Sequence, residues 1–388
     1  MSSSTVPSSL GFGLFLPPFH PVEENPSLAL ERDAQLVEHV ERMDFDEAWI
    51  GEHHSGGWEI ISSPELFIAA LAGRTSRIKL GAGVVSLPYH HPYMVAERAI
   101  QLSHHTKGRF ILGLGPGALP SDAAMLGLDA PQLRPRTQQA ASAVVRLLAG
   151  ETVTEETDWY TLRDARVQLR PYQGKRVEVC AASVVSPSGA VLAGSHGLGL
   201  LSIGGTSQAG FSALAQNWSV TEKKAAEAKK SVHRKDWRVV GLMHIAPTRE
   251  QAREDVKFGL DAWVKYFNEV AALPLVPSGS VESALDSMMD SGIVMVGDPD
   301  DATAHIRNLQ EQTGGFGKLL LMGHNWANYE NTRRSYELIA RYVMPKFQHL
   351  NQGRSDSMEY VRARNPEFSG AAATAVAEAV QLHTSDDD

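Results

Sequence analysis

One cysteine in 388 residues leaves Cys180 without a partner inside the chain, so no disulfide framework supports this fold. No Cys/His array has the spacing of a zinc site either. Long apolar runs are missing: no stretch reaches the roughly 20 consecutive apolar residues that cross a bilayer. The opening MSSSTVPSSLGFG has neither the basic start nor the apolar centre of a secretory leader. A basic block is also lacking. Lys and Arg number 36 against 45 Asp and Glu, a formal net charge of -9 with the two signs interspersed, which favours solubility and offers no electrostatic footprint for nucleic acid. The expectation is a cytoplasmic protein that engages neither nucleic acid nor membrane.

What the chain does have is 43% hydrophobic residues, enough for a large core, arranged in short apolar runs bounded by Gly or Pro with helical stretches between them. Candidate strands are GFGLFL (11–16), DEAWIG (46–51), IKLGAGVV (78–85), RFILGLG (109–115), RVEVCAA (176–182), GLGLLSIG (197–204), WRVVGLMHIA (237–246) and KLLLMG (318–323). The stretches between them have helical periodicity: Leu36, Val40 and Met43 share a face, as do Ala140, Val144, Leu147 and Leu148. Pro92 suits a first helical turn and Gly108 a helix stop. Eight βα units predict an α/β fold, a (β/α)8 TIM barrel with insertions at strand ends. Residues 151–172 read as an inserted hairpin, and 257–297 as a helix followed by a loop. The expected organisation is a flexible N-terminus over 1–10, a barrel domain over 11–350 and a partly disordered tail over 351–388.

Barrel chemistry sits where strands end, so the residues just beyond each strand matter most. The second strand runs into Glu52-His53-His54, the seventh carries His244 near its end and the eighth runs into His324-Asn325-Trp326. An imidazole titrates near neutrality and a neighbouring carboxylate can fix its tautomer, so Glu52-His53-His54 suits a general base with orienting partners. The i, i+2 spacing of Glu52 and His54 leaves a metal-ligand pair as a competitor. GLGPGA (113–118) matches a dinucleotide fingerprint only superficially, because it lies mid-chain and no acidic strand end comes at the required distance after it. Backbone room for a flat ligand explains its glycines better. Ser183-Val184-Val185-Ser186-Pro187 suits a helix cap with N–H groups open to a phosphate, and Gly204-Gly205-Thr206 adds further backbone donors after the sixth strand.

GFGLFLPP, WIGEHH, KLGAGVVSLPYHHP and KGRFILGLGPG succeed one another in an order and spacing that resembles the bacterial luciferase-like flavin monooxygenases, in particular their limonene-monooxygenase-like branch. The likeness runs from about residue 11 to about 347 and takes in VGDPDDATAHI and LLLMGHNWANYE. It implies a barrel that binds FMN as FMNH2, with the flavin ring across the strand ends and its phosphate near the fifth strand. The family's catalytic histidine falls on His53, between Glu52 and His54. A non-proline cis peptide of the family falls on Gly83-Val84. The flavin segment Ala-Glu-Ser matches Ala181-Ala182-Ser183, and a phosphate-contacting hydroxyl matches Ser186; Gly115 and Gly204 complete the implied flavin site. The family's glutamate is Ala182 here, and its phosphate-gripping arginine falls on Pro116, which turns attention to Arg134 or Arg136 as a replacement cation.

The resemblance further implies O2 and a small apolar substrate such as a terpene, ketone or aldehyde, a separate NAD(P)H:flavin reductase as partner, and a homodimer. Phe15 and Trp326 are the candidate substrate walls, with Asp122 as a further polar contributor. The rival expectations are a deazaflavin-dependent oxidoreductase on the same barrel, a metal-dependent hydrolase built on Glu52 and His54, and a catalytically silent flavoprotein subunit.

Overall fold

The computed structural model describes residues 7, 9–17, 19–203, 208–271 and 281–384. These fall into two compact units, Met1–Met344 and Pro345–Asp388.

The first unit is built on parallel strands β1 (Gly11–Leu16), β2 (Glu47–Ile50), β3 (Lys79–Ser86) and β4 (Phe110–Gly115). An antiparallel pair β5 (Val153–Glu156) and β6 (Thr161–Ala165) comes next, where the hairpin was expected. Then come β7 (Glu178–Ser183), β8 (Gly199–Ser202), β9 (Trp237–Ile245), β10 (Val294–Gly297) and β11 (Lys318–Met322). The parallel strands are buried on both faces, which is why they read as continuous apolar runs rather than alternating ones. The barrel closes because β9 pairs with β8 through Leu200 and Trp237 and with β11 through Lys318 and Arg238. Eight strands form the closed parallel barrel, as expected from sequence.

A ninth strand was not anticipated. β10 lies inside the stretch read as helix and loop, and it pairs only with the far half of β9, from Val294 opposite Leu242 to Gly297 opposite Ile245. Four residues are too few to declare a period, so VMVG could not be told from a loop. The helix expected in the same stretch is present as Leu260–Glu269.

Helices between the strands begin where local chemistry dictates. Asn25 caps Pro26–Arg42 by accepting from Ser27 N, and Pro92 opens Pro92–His105. Gly108, at φ 81, turns the chain out of that helix into β4, a conformation in which any side chain would be strained. Ala140, Val144, Leu147 and Leu148 are all buried on one face of Ala130–Leu148.

At the N-terminal end of the strands lies an ionic cluster. Arg238 is 1% exposed and grips the fully buried Glu47 with two hydrogen bonds of 2.8 Å, while also meeting Glu178, whose other oxygen accepts from Lys79 at 2.7 Å. The second unit contains the helices Gln352–Ala363 and Asn365–Thr384. No helix among the described residues is long and apolar enough to cross a membrane.

Candidate active site

The C-terminal ends of the barrel strands gather the titratable groups. Beyond β2, the loop carrying Glu52, His53 and His54 folds back on itself, with His53 N donating to Ile61 O at 3.2 Å. That closure brings Glu59 beside His53, whose Nε2 is 3.4 Å from Glu59 Oε1. On the other side, His53 Nδ1 bonds Asp122 Oδ2 at 3.1 Å, from the short helix Pro120–Met125 after β4. Asp122 is 1% exposed and also accepts from His54 N at 3.1 Å and from the Ser55 hydroxyl. Glu59 is fixed in turn by the hydroxyl of Tyr266, 2.9 Å from Oε2, on the inserted helix Leu260–Glu269.

Glu52 has other partners. Its carboxylate accepts from Ser86 N at 3.0 Å and meets His54 Nε2 at 3.0 Å and His90 Nε2 at 2.9 Å. The three consecutive residues therefore divide: Glu52 orients His54 and His90, whereas His53 is oriented by Asp122 and Glu59. A carboxylate adjacent in sequence points to the other side of an extended chain, so the partner of His53 has to come from elsewhere.

Electrostatics mirror this division. Burial alone would raise the Glu52 carboxyl, but the hydrogen bonds from His54 and His90 bring it down to about 2. Burial also works against ionised Asp122, yet the hydrogen bonds from His53 and Ser55 hold it below the usual carboxylate range. Glu59 is raised by burial, only partly offset by His53 and Tyr266. Burial would lower His53, but Glu59 and Asp122 outweigh it and raise its pKa; His54 is raised by its bond to Glu52. The histidines at the ends of β9 and β11 behave in the opposite way. Burial lowers His244, and burial with His244 nearby lowers His324 to about 3, so both remain neutral near pH 7. Position at a strand end does not separate these pairs of histidines; His244 meets one carboxylate, Asp255 at 3.2 Å, and burial outweighs it, whereas the two carboxylates on His53 outweigh burial.

The Gly83–Val84 peptide is cis. A side chain on Gly83 would stand 2.9 Å from Phe15, so Phe15 packs tightly beneath this turn of β3. Phe15 (4% exposed) and Trp326 (0%) both belong to the central core cluster, and Trp326 stacks on His324 at 4.3 Å. The structure thus puts both candidate walls in the core. The aromatic group tied to the His53 network is Trp58, half-buried and stacked at 4.9 Å and 11° on Tyr266, itself a member of the same core cluster. The glycines of GLGPGA are likewise taken up by the protein itself: a Cβ on Gly113 would lie 2.2 Å from Ala82 O, one on Gly115 2.5 Å from Val84, and one on Gly117 2.3 Å from the Tyr89 hydroxyl. They let strands and a side chain approach closely, a different use from room for a flat ligand.

Further round the mouth, Ser183 donates to Ser186 O at 3.0 Å, and Ser186 Oγ accepts from Ser188 N at 3.3 Å at the start of helix Ser188–His196. A small pocket there is lined by Gly115, Pro116, Arg134, Gln138, Ala182 and Ser188. Arg136 is turned away, over the Trp159 ring at 5.4 Å. Gly204 lies outside the described residues.

Glu59, Trp58 and Tyr266 are the residues that sequence reasoning missed. Glu59 had one available signal, its place in the same loop as His53; Tyr266 had none, being more than two hundred positions away.

The profile of the luciferase-like monooxygenase family matches residues 10–315. The chain is 46% identical over 340 residues to limonene 1,2-monooxygenase of Rhodococcus erythropolis, covering 87% of this chain and 86% of that one. It is also 46% identical over 359 residues to 4-hydroxyprotoasukamycin monooxygenase of Streptomyces nodosus subsp. asukaensis, covering 91% and 96%. Among solved structures, the oxygenating constituent of 3,6-diketocamphane monooxygenase from Pseudomonas putida, a type II Baeyer-Villiger monooxygenase in complex with FMN, superposes with a TM-score of 0.74 at 25% identity, covering 87% of this chain and 99% of that one. The ordered strand-end motifs, the closed barrel and these likenesses agree: the chain is an enzyme of the luciferase-like monooxygenase family, in its limonene-monooxygenase-like branch.

Proposed function

We propose that this protein is the oxygenating component of a two-component system, which takes FMNH2 from a separate reductase and uses O2 to oxidise a small apolar molecule such as a terpene, ketone or aldehyde. The observation that carries this proposal is His53, held at the barrel mouth between two carboxylates and beside a stacked aromatic pair.

The residues present fit a flavin. Arg134 and Ser188 line one pocket at the start of a helix, braced by Gln138 Nε2 donating to Ser188 O at 3.1 Å, with Arg134 supplying for a phosphate the cation that Pro116 cannot. Among the described residues, the Tyr89 hydroxyl is buried without a hydrogen-bond partner, so a ligand acceptor at the mouth would satisfy it. Reduced flavin, when bound, supplies the electrons that activate O2, one atom of which enters the substrate while the other leaves as water. The chain's own tasks are to orient the ligands, exclude water and manage protons. Asp122 orients the His53 ring through Nδ1, leaving Nε2 as the atom at which a proton is exchanged. Trp58, half-buried and backed by Tyr266, offers a flat apolar face suited to a hydrocarbon substrate.

The test is to load the anaerobic protein with FMNH2, mix it with 18O2 and a panel of terpenes, ketones and aldehydes, and track both flavin reoxidation and product mass. Slower reoxidation than that of free flavin, with one 18O atom in a product, is expected. Arg134→Ala should weaken FMNH2 binding about 10-fold or more, the loss of one charge-assisted contact. Reoxidation at the free rate with no labelled product would sink the proposal, and hydride transfer from a reduced deazaflavin in a parallel assay would install that rival.

A further inference from the structure

We propose that Glu59 is a positioning residue that keeps a proton on Nε2 of His53, so that His53 enters the chemistry as a proton donor rather than as a general base. This inference rests on the monooxygenase proposal for its chemistry, but not for its geometry.

Both ring nitrogens of His53 face carboxylates: Asp122 at 3.1 Å on Nδ1 and Glu59 at 3.4 Å on Nε2. A base needs a bare lone pair at Nε2, and here that lone pair would confront an anionic oxygen. A proton on Nε2 removes the repulsion and pairs the ring with the Glu59 carboxylate. Glu59 cannot swing away, because Tyr266 holds its other oxygen at 2.9 Å and the Trp58–Tyr266 stack stands against Tyr266. Of the remaining titratable groups around His53, Glu52 acts in the same direction, while His54, when protonated, opposes it. Glu52 is an anion on the same loop, His54 is occupied by Glu52, His90 lies beyond Glu52, and Tyr89 is a phenol pushed up to about 12 by burial and by Asp122 and Glu52. Three carboxylates thus face three imidazoles, and His53 alone meets two of them. When an acceptor at the mouth takes the Nε2 proton, the N–H bond breaks and its electron pair stays on nitrogen. Solvent then returns the proton to the pair.

The test needs no cofactor. Protein labelled with 15N-histidine is titrated by NMR, His53 being assigned by its loss in His53→Asn, and wild type is compared with Glu59→Gln, which keeps the size of the side chain and an acceptor for Tyr266. The His53 midpoint should fall by about one pH unit or more, a tenfold loss of proton affinity, and Glu59→Asp should restore most of it. Tyr266→Phe should move it less, in the same direction. In turnover with FMNH2, the alkaline limb of the kcat profile should move to lower pH by the same amount, since the required proton is lost earlier. An unchanged His53 midpoint in Glu59→Gln, or in Tyr266→Phe should Glu59→Gln not fold, overturns the inference. Shifted midpoints in a protein that yields no oxygenated product would leave the Glu59–His53 pair standing and remove the monooxygenase proposal instead.

Discussion

The two ends of this barrel both bury carboxylates, and they satisfy them with different partners. At the N-terminal end Glu47 and Glu178 are held by Arg238 and Lys79, cations that stay charged at any physiological pH. At the C-terminal end Glu52, Asp122 and Glu59 are held by histidines, a seryl hydroxyl, a tyrosine and backbone N–H groups. The first arrangement has one protonation state; the second has several close together in energy. A barrel of this kind keeps its permanent charges where it needs a fixed register and its labile protons where it needs chemistry.

This contrast can be broken at either end. The largest expected effect is His53→Ala, which should lower product formation about 10²- to 10⁴-fold, the usual contribution of a positioned proton-transfer group, while thermal unfolding at alkaline pH, where the ionic contribution of His53 to stability is lost, stays near the wild-type value. Loss of activity accompanied by an equal loss of stability would show instead that His53 is structural. Next comes Arg238→Met, which leaves the buried Glu47 with only Trp49 Nε1 at 2.9 Å and Lys318 at 3.9 Å and should cost about 3 kcal/mol in denaturant unfolding, with the kcat of the remaining folded protein little changed. A stable Arg238→Met variant would mean that water reaches the cluster and that the two ends are less different than their geometry suggests.

The smallest effect sharpens the comparison most. The His53 pKa is raised on folding, so its contribution is fully present below the unfolded value of 6.5 and is lost as pH rises through the folded value. Glu178 is brought down to about 2 by Arg238 and Lys79 against the effect of burial, so its contribution is present above 4.5 and lost as pH falls from there towards 2. Stability relative to a His53→Asn variant should therefore decline above pH 6.5, whereas stability relative to a Glu178→Gln variant should be flat there and decline only in acid. Equal pH dependence for both pairs would refute the division of labour.

How far the sequence revealed these features depended on whether each signal was local. The barrel strands announce themselves as apolar runs between glycines, and the hairpin at 153–165 shows its turn-rich alternation. WIGEHH marks a strand end within six letters, so His53 was found at once. The partners of His53 were harder to find, because hydrogen bonding across a mouth is set by where loops return and not by spacing along the chain. Asp122, in the loop after another strand, drew notice only as an isolated acid, and Glu59 looked like any loop glutamate until the backbone bond from His53 to Ile61 closed the loop over it. Phe15 and Trp326 show a different ambiguity. Large aromatic residues at strand ends are equally suited to a pocket wall and to a core, and only packing decides.

β9 has a consequence for how such an enzyme diversifies. Its first half shares ladders with β8 and β11 and so belongs to the barrel, while its second half shares a ladder only with β10. The stretch between β9 and β10, which supplies Tyr266, is therefore suspended from hydrogen bonds that play no part in closing the barrel. A homologous exchange of that one contiguous segment would bring in a new wall and a new neighbour for Glu59 without opening a single ladder of the closed sheet. The neighbours of Glu59 can thus change as a cassette, separately from the ladders of the scaffold that carries them.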